Sequence, residues 1–424
     1  MKVALILSVC LSASSLLAAN WPQWRGPELN GSTSETNLPS TWSKTENVLW
    51  SAPLPGHAHA TPIVWDNSIF VNTPDADANL LLMCLDRHTG GVRWQKQVGV
   101  GNRVSGRNNM ASPSPVTDGK TVWTMFGTGD LAAFDFAGNL LWARSLTKEY
   151  GKFIINWIYG SSPLLYKGRL YIEVLRRVPG DSFILCLDPQ TGTNIWREVR
   201  PTDAIQESQE AYSTPMPSEC GGKTEIIIVG GDYVTGHDAE TGKELWRGGG
   251  LRNFDHRPDS RLVPTPVLAD GLIFVCGAKR NPFLAFRDCG KGDITTSGLA
   301  WSSSEYSTDC VTPLLFQGKL FMLDGDKQIM VCFEPATGKV LWKKPLGIHE
   351  IFRASPTGAD GKIYCFSEYA TAVVMSAADG KILSTIKMGD ADQTDNGLSH
   401  STIAASQGSL FIRTASHLYC VANK

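Results

Sequence analysis

Past its first twenty residues the chain has no apolar run long enough to span a bilayer, which takes about 20 such residues. It also lacks an excess of charge. Its 39 basic and 41 acidic side chains leave a formal net charge of −2, which argues against a broad nucleic-acid surface and a polybasic membrane patch. The sequence contains no CxxC and no adjacent Cys-Cys pair. GxSxG, HExxH, a phosphate loop and an EF-hand are absent too, so no catalytic motif of those kinds announces an enzyme. What it has in quantity is 41 glycines and 13 tryptophans among 424 residues. Frequent reversals and large planar anchors point to an all-β chain.

Residues 1–19 read as a secretory signal peptide. Lys2 gives a positive start, Val3 to Leu17 an apolar stretch, and Ala18-Ala19 a small-residue site with the cut after either alanine. The mature protein is then periplasmic or secreted and has no transmembrane segment. Cys10 leaves with the leader and nine cysteines remain. Cys84, Cys186, Cys332 and Cys420 share one position in similar strands (LMCLD, ILCLD, MVCFE, LYCVA), where a small buried residue suits packing. Cys220, Cys289 and Cys310 fall in loops and leave room for one or two disulfides.

One stretch recurs. CLDPQTGTNIW, ending at Trp196, matches CLDRHTGGVRW, GHDAETGKELW and CFEPATGKVLW. AFDFAGNLLW and TTSGLAW are variants, and MSAADGKILS keeps the Gly without the Trp. Each reads as a hairpin whose Gly supplies a positive φ, and the copies end about 41 to 55 residues apart, the length of a propeller blade. Each is preceded by Ser or Thr near a Pro and two short apolar strands, as in HATPIVWDNSIFV and SSPLLYKGRLYIEV; HSTIAASQGSLFI is the eighth such opening. The expected fold is an all-β, eight-bladed propeller of four-stranded blades over residues 47–424, after an extension at 20–46. The last repeat stops at HLYCVANK, so the strand around Trp50 is expected to complete the eighth blade and close the ring. Trp50, Trp94, Trp142, Trp196, Trp246, Trp301 and Trp342 are then plates packed between neighbouring blades.

The AxDxxTGxxxW pattern of these hairpins resembles the tryptophan-docking repeat of quinoprotein (PQQ-like) propellers, over essentially the whole mature chain. That family includes pyrroloquinoline-quinone (PQQ) alcohol dehydrogenases and a propeller lipoprotein of outer-membrane protein assembly. WPQWRGPELNGS and AFRDCGKGDITTSGLAWSS resemble exported repeat proteins of planctomycete-type bacteria. The resemblance implies the fold and leaves two roles open. A dehydrogenase would bring PQQ with calcium, yet the dehydrogenases use an adjacent Cys-Cys disulfide over the quinone, which this chain lacks. The assembly lipoprotein needs a Cys after its leader, where Asn20-Trp21 stand here. The favoured reading is a cofactor-free binding or assembly scaffold in the cell envelope. Its partner is an envelope or extracellular protein, or a small anionic ligand.

In a propeller the loops leading into each inner strand gather around one mouth of the channel. Taking the residue three before each recurring Pro gives the ring His59, Met110, Gly160, Tyr212, Val263, Cys310, Arg353 and, from the Pro-less blade, His400. Arg353, His400 and His59 should converge, with His57 two residues away. A solvated polar mouth, an anion pocket held by Arg353 and a metal site on His59 and His400 are the readings to weigh; no carboxylate matches the last from spacing. His57, His59, Tyr212, Arg353 and His400 are the candidate ligand residues. Arg103, Arg107, Trp157, Tyr159, Asp255, His256 and Arg261, on the long loops of the same face, are candidate interface residues.

Overall fold

The computed structural model describes residues 19–106, 108–177, 181–252, 260–277, 282–389 and 397–424. Each repeat folds into an antiparallel sheet of strands a to d running outward from the channel. In blade 3 these are Leu164–Tyr166, Arg169–Val174, Phe183–Leu187 and Asn194–Val199. Eight such sheets make the propeller. Blade 8 holds Ala404–Ser406, Ser409–Arg413 and His417–Ala422, and Val48–Pro53 completes it from the other end of the chain, with Trp50 opposite Cys420. The eight blades and the closing strand are those expected from the repeats.

The recurring hairpin has a physical explanation in the joints between blades. The indole of Trp142 in blade 2 donates to the Pro189 carbonyl in the c–d turn of blade 3, at 2.9 Å. Its ring covers Gly192, where a Cβ would lie 2.6 Å from the indole and φ is +72°. Glycine is therefore required there twice, for the turn and for the close approach. Trp94 on Phe136 O, Trp196 on Ala239 O, Trp301 on Pro335 O and Trp50 on Arg87 O repeat the arrangement, at 2.8 to 3.0 Å. Trp342 lies over Gly380 in the same way. Within each blade a small residue faces the indole across the c–d pair. Cys84, Cys186, Cys332 and Cys420 pair with Trp94, Trp196, Trp342 and Trp50, and Ala133, Gly236 and Ala285 pair with Trp142, Trp246 and Trp301. In blade 7, where Ser384 replaces the Trp, its partner is the larger Val374.

Blade 7 recovers an indole from elsewhere. Trp42, in the extension, packs on Tyr364 with ring centroids 6.4 Å apart. In other blades the docking Trp meets the equivalent aromatic at similar range, as with Tyr171 and Trp196 at 6.0 Å. Ser384 Oγ donates to the Ser40 carbonyl beside it.

The joint between blades 4 and 5 departs from the pattern. Trp246 is almost wholly buried between the two blades, among Ile273, Phe286 and Ile294 of blade 5, but its Nε1 donates to Glu225 Oε2 of its own blade at 2.7 Å. Gly292–Asp293, from the c–d excursion of blade 5, instead adds a parallel strand to the edge of blade 4, pairing with Trp246 and Arg247. A disulfide, Cys220–Cys289, ties the same two blades. The remaining described cysteines are free thiols, all buried except Cys310.

Candidate functional site

The Ser or Thr before each inner-strand proline forms the wall of the channel. Thr61 N–H donates to Ser114 Oγ, Ser114 to Ser162 and Ser162 to Thr214, at 2.9, 2.9 and 3.4 Å. Thr214 donates to Thr265, Thr265 to Thr312 and Thr312 to Ser355, at 2.9, 3.0 and 3.0 Å. Thr402 returns the chain of bonds to Thr61 at 3.2 Å. Each bond crosses from one blade to the next, so from blade 8 round to blade 7 the channel wall is a run of hydroxyls that accept from their neighbours' amides.

The extension closes the channel at the end of the a–b turns. Trp21 pairs with Val64, Pro22 O accepts from Thr117 N–H, and Asn30 O from Leu315 N–H. Gly31 and Thr33 then bracket Gly358. The segment thus crosses from blades 1 and 2 to blades 6 and 7. Buried Arg25 fastens it through the carbonyls of Pro313 and Asn30, at 2.6 and 2.8 Å, and desolvation pulls its pKa down to about 9. Between these fastenings Trp24 turns into the channel, and its Nε1 donates to Thr214 Oγ1 at 3.1 Å. The result is a blind cup of about 520 Å³ with Trp24 as its floor, Ser and Thr as its wall and the loops before strand a as its rim.

His59, Gly160, Tyr212, Val263, Cys310, Arg353 and His400 all line this cup. Met110 does not; it packs among Ala58, Leu80, Phe126 and Ile158. Blade 2 has two prolines, and Pro115 is the one in register, which places Ser112 on the rim. His57 lies behind His59, with ring centroids 4.6 Å apart, its Nε2 2.5 Å from the Leu398 carbonyl. Burial lowers its pKa to about 4. His59 stacks on His400 at 4.2 Å, so blades 8 and 1 do converge as expected.

Arg353 is already engaged, by Asp326 at 2.7 Å and Glu368 at 3.7 Å. Glu368 also lies 3.0 Å from His400 Nε2. This fully buried carboxylate follows a strand end, outside the motif that carries the prolines, and nothing in the repeat pattern pointed to it. Across the rim, Arg261 makes a bidentate pair with Asp309, both contacts 3.1 Å. Trp157 Nε1 donates to Glu207 Oε1 at 2.6 Å. The Tyr212 hydroxyl donates to buried Glu210 at 2.7 Å, and burial followed by Glu210 raises the phenol pKa. Burial, reinforced by Asp309, pushes the Cys310 thiol up to about 12, so it is no thiolate nucleophile at neutral pH.

The candidate interface residues divide. Trp157 is 43% exposed and Arg103 is exposed, whereas Tyr159 is 1% exposed with its hydroxyl donating to the Glu173 carbonyl. Tyr159 is therefore core, because its loop turns inward between blades 2 and 3 and carries the ring with Phe153. Arg107, Asp255 and His256 lie outside the described residues.

Fold and site define the class: a quinoprotein-type β-propeller with a blind channel cup. A family profile described as outer membrane protein assembly factor BamB matches residues 32–156, 156–309 and 291–422, and the chain belongs to this PQQ-like propeller family. It is 24% identical over 237 residues to outer membrane protein assembly factor BamB of Burkholderia pseudomallei, covering 54% of each chain. It is 34% identical over 89 residues to quinohemoprotein alcohol dehydrogenase ADH-IIG of Pseudomonas putida, covering 20% of this chain and 11% of that one. The chain thus spans about half the length of one of these relatives and about a tenth of the other. The crystal structure of quinohemoprotein alcohol dehydrogenase from Comamonas testosteroni superposes with a TM-score of 0.67 at 12% identity, over 96% of this chain and 81% of that one. At that identity the likeness is one of fold.

Proposed function

We propose that the protein is a binding scaffold of the cell envelope, exported to the periplasm or beyond, whose channel cup receives a polar projecting segment of a protein partner. The observation that carries this reading is the cup itself: one open mouth, an indole floor, hydroxyl walls and an exposed Trp157 at the lip. Both rim guanidiniums already face carboxylates, which favours a neutral hydrogen-bonding occupant over the small anionic ligand. Among the described residues no helix is long and apolar enough to cross a membrane.

The alternative, a PQQ-dependent dehydrogenase, gains support from Trp24, a flat aromatic surface on which a planar quinone could stack. The rest of the donor set fits it poorly. PQQ carries three carboxylates, and calcium takes several oxygen ligands. Here Arg261 and Arg353 are paired with acids, and Glu368 is shared between His400 and Arg353. The Cys220–Cys289 disulfide lies off the cup, and Cys310 on the rim is a free thiol.

Site-specific photocrosslinking decides between partner binding and its absence. A crosslinking residue at Trp157 should capture one discrete envelope protein, the same residue at Leu341 on the outer edge should not, and Arg261→Glu should abolish the capture. Equal capture from both positions would refute the cup as the docking surface. Titration with PQQ and calcium supplies the second arm: saturable binding with a quinone absorption band would replace this reading with the enzyme.

A further inference from the structure

The cup is independent of a second built site, at the start of the extension. Glu35 is 9% exposed. Its Oε2 accepts the Gly408 backbone N–H at 2.7 Å, and its Oε1 accepts the Ala19 backbone N–H at 2.6 Å. Among the described residues no lysine, arginine or histidine pairs with this carboxylate. A nearly buried anion without a cation is costly, and its natural complement is a positive charge placed where a donor already sits.

Ala19 is held in place on its other side as well. Its carbonyl accepts from Ser406 Oγ at 2.8 Å, and Asn20 Oδ1 accepts the Asp66 N–H at 2.8 Å. Trp21 then pairs with Val64 in both directions, at 2.8 Å each. The nitrogen of Ala19 is thereby fixed on Glu35 by contacts to blades 8 and 1.

We infer that the leader is removed between Ala18 and Ala19, and that the new α-ammonium of Ala19 forms a part-buried ion pair with Glu35. Hydrolysis of the Ala18–Ala19 peptide bond by a signal peptidase leaves a carboxylate on Ala18 and a free amine on Ala19. The amine is protonated at neutral pH and turns an amide hydrogen bond into a charge-assisted one. The cut after Ala19, equally open from the sequence, would remove this donor and leave Glu35 facing Gly408 alone. The inference rests on the exported reading for its enzyme, and on Glu35 for its position.

Two measurements test it. Intact-mass analysis of the protein exported from a bacterial host should give residues 19–424. A mature chain starting at Asn20 overturns the inference, and a chain that keeps its leader in every fraction overturns the exported reading along with it. In the second, chains starting at Ala19 and at Asn20 are released in vitro from a cleavable fusion. The Ala19 chain is also prepared with an N-acetyl group, which keeps the N–H and removes the charge. The free amine should melt higher than the acetylated chain by roughly 2–4 °C, and Glu35→Gln should erase that difference. Equal melting of free and acetylated chains overturns the ion pair.

Discussion

The joint between blades 3 and 4 and the joint between blades 4 and 5 are one blade apart, yet they hold by different means. At the first, Trp196 covers Gly242 and donates to the Ala239 carbonyl. At the second, the indole packs against Gly290 and Ile294 of the next blade but donates within its own, and a disulfide with an added parallel strand also spans the gap. The docked joint uses half-buried apolar area and one hydrogen bond. The tied joint uses a covalent loop closure and backbone pairing. A repeat can therefore keep its motif in sequence and its plate in the joint while one copy changes its hydrogen-bond acceptor and the joint gains other ties.

The largest test of this contrast is Trp246→Ala against Trp196→Ala. Trp246 is fully buried and its loss strands Glu225, so urea unfolding should show a loss of about 4 kcal/mol, against about 2 for the half-buried Trp196. Equal losses would mean that both indoles serve the same purpose. Next in size is the double substitution Cys220→Ser and Cys289→Ser. Opening a bridge between residues 69 apart should cost about 2–4 kcal/mol, and reductant should lower the wild-type transition to the same midpoint while leaving the variant unmoved.

Acid should separate the two joints. His237 is buried under the docked turn, its Nδ1 2.9 Å from the Gly242 carbonyl and its Nε2 2.9 Å from Thr235 Oγ1. Burial, then Arg200, lowers its pKa from 6.5 to about 4. The folded state prefers the neutral ring, so this contribution is complete above the unfolded pKa of 6.5 and is lost as pH falls toward 4. Between neutral pH and about pH 4.5, wild type should lose about 2 kcal/mol more than His237→Asn. Parallel pH profiles for the two proteins would remove His237 from the account. The smallest expected effect is at an exposed pair. Arg93→Ala, which frees Asp86, should change stability by no more than about 0.5 kcal/mol in the same assay.

Much of the fold was legible because a propeller writes its geometry into the chain repeatedly. In blades 1, 2, 3, 4 and 6 the hairpin Gly and the Trp four residues on keep a fixed spacing, and the Gly of blades 1, 3, 4 and 6 lies under the Trp of the blade before it. The rim was legible by the same logic: the residue three before the proline reached the cup in His59, Tyr212, Arg353 and His400, and slipped only in blade 2, where two prolines offered two registers. What was not legible lacked repetition. Trp24 enters the channel once, from a segment without internal pattern, and Glu368 and Asp326 reach the rim from turns whose counterparts differ in every blade. Trp42 stands in for a missing tryptophan more than three hundred residues away, a relation that only the closed ring creates. The serines and threonines before the prolines were visible as a recurrence, but their mutual bonding depends on the spacing of adjacent blades.

Because the ring is completed by its own beginning, order of synthesis and order of use run opposite ways. Trp21, Trp24, Trp42 and Trp50 all precede the first complete blade, whose inner strand begins at Ile63. Their partners lie on blades 1, 4, 7 and 8, and the last of these shares its sheet with His417–Ala422. Until the ring closes, Trp42 and Trp50 lack the surfaces of blades 7 and 8 that receive them, and the open ring exposes both of its terminal edges. Closure is therefore a long-range step that pairs Val48–Pro53 with His417–Ala422 and removes both edges together.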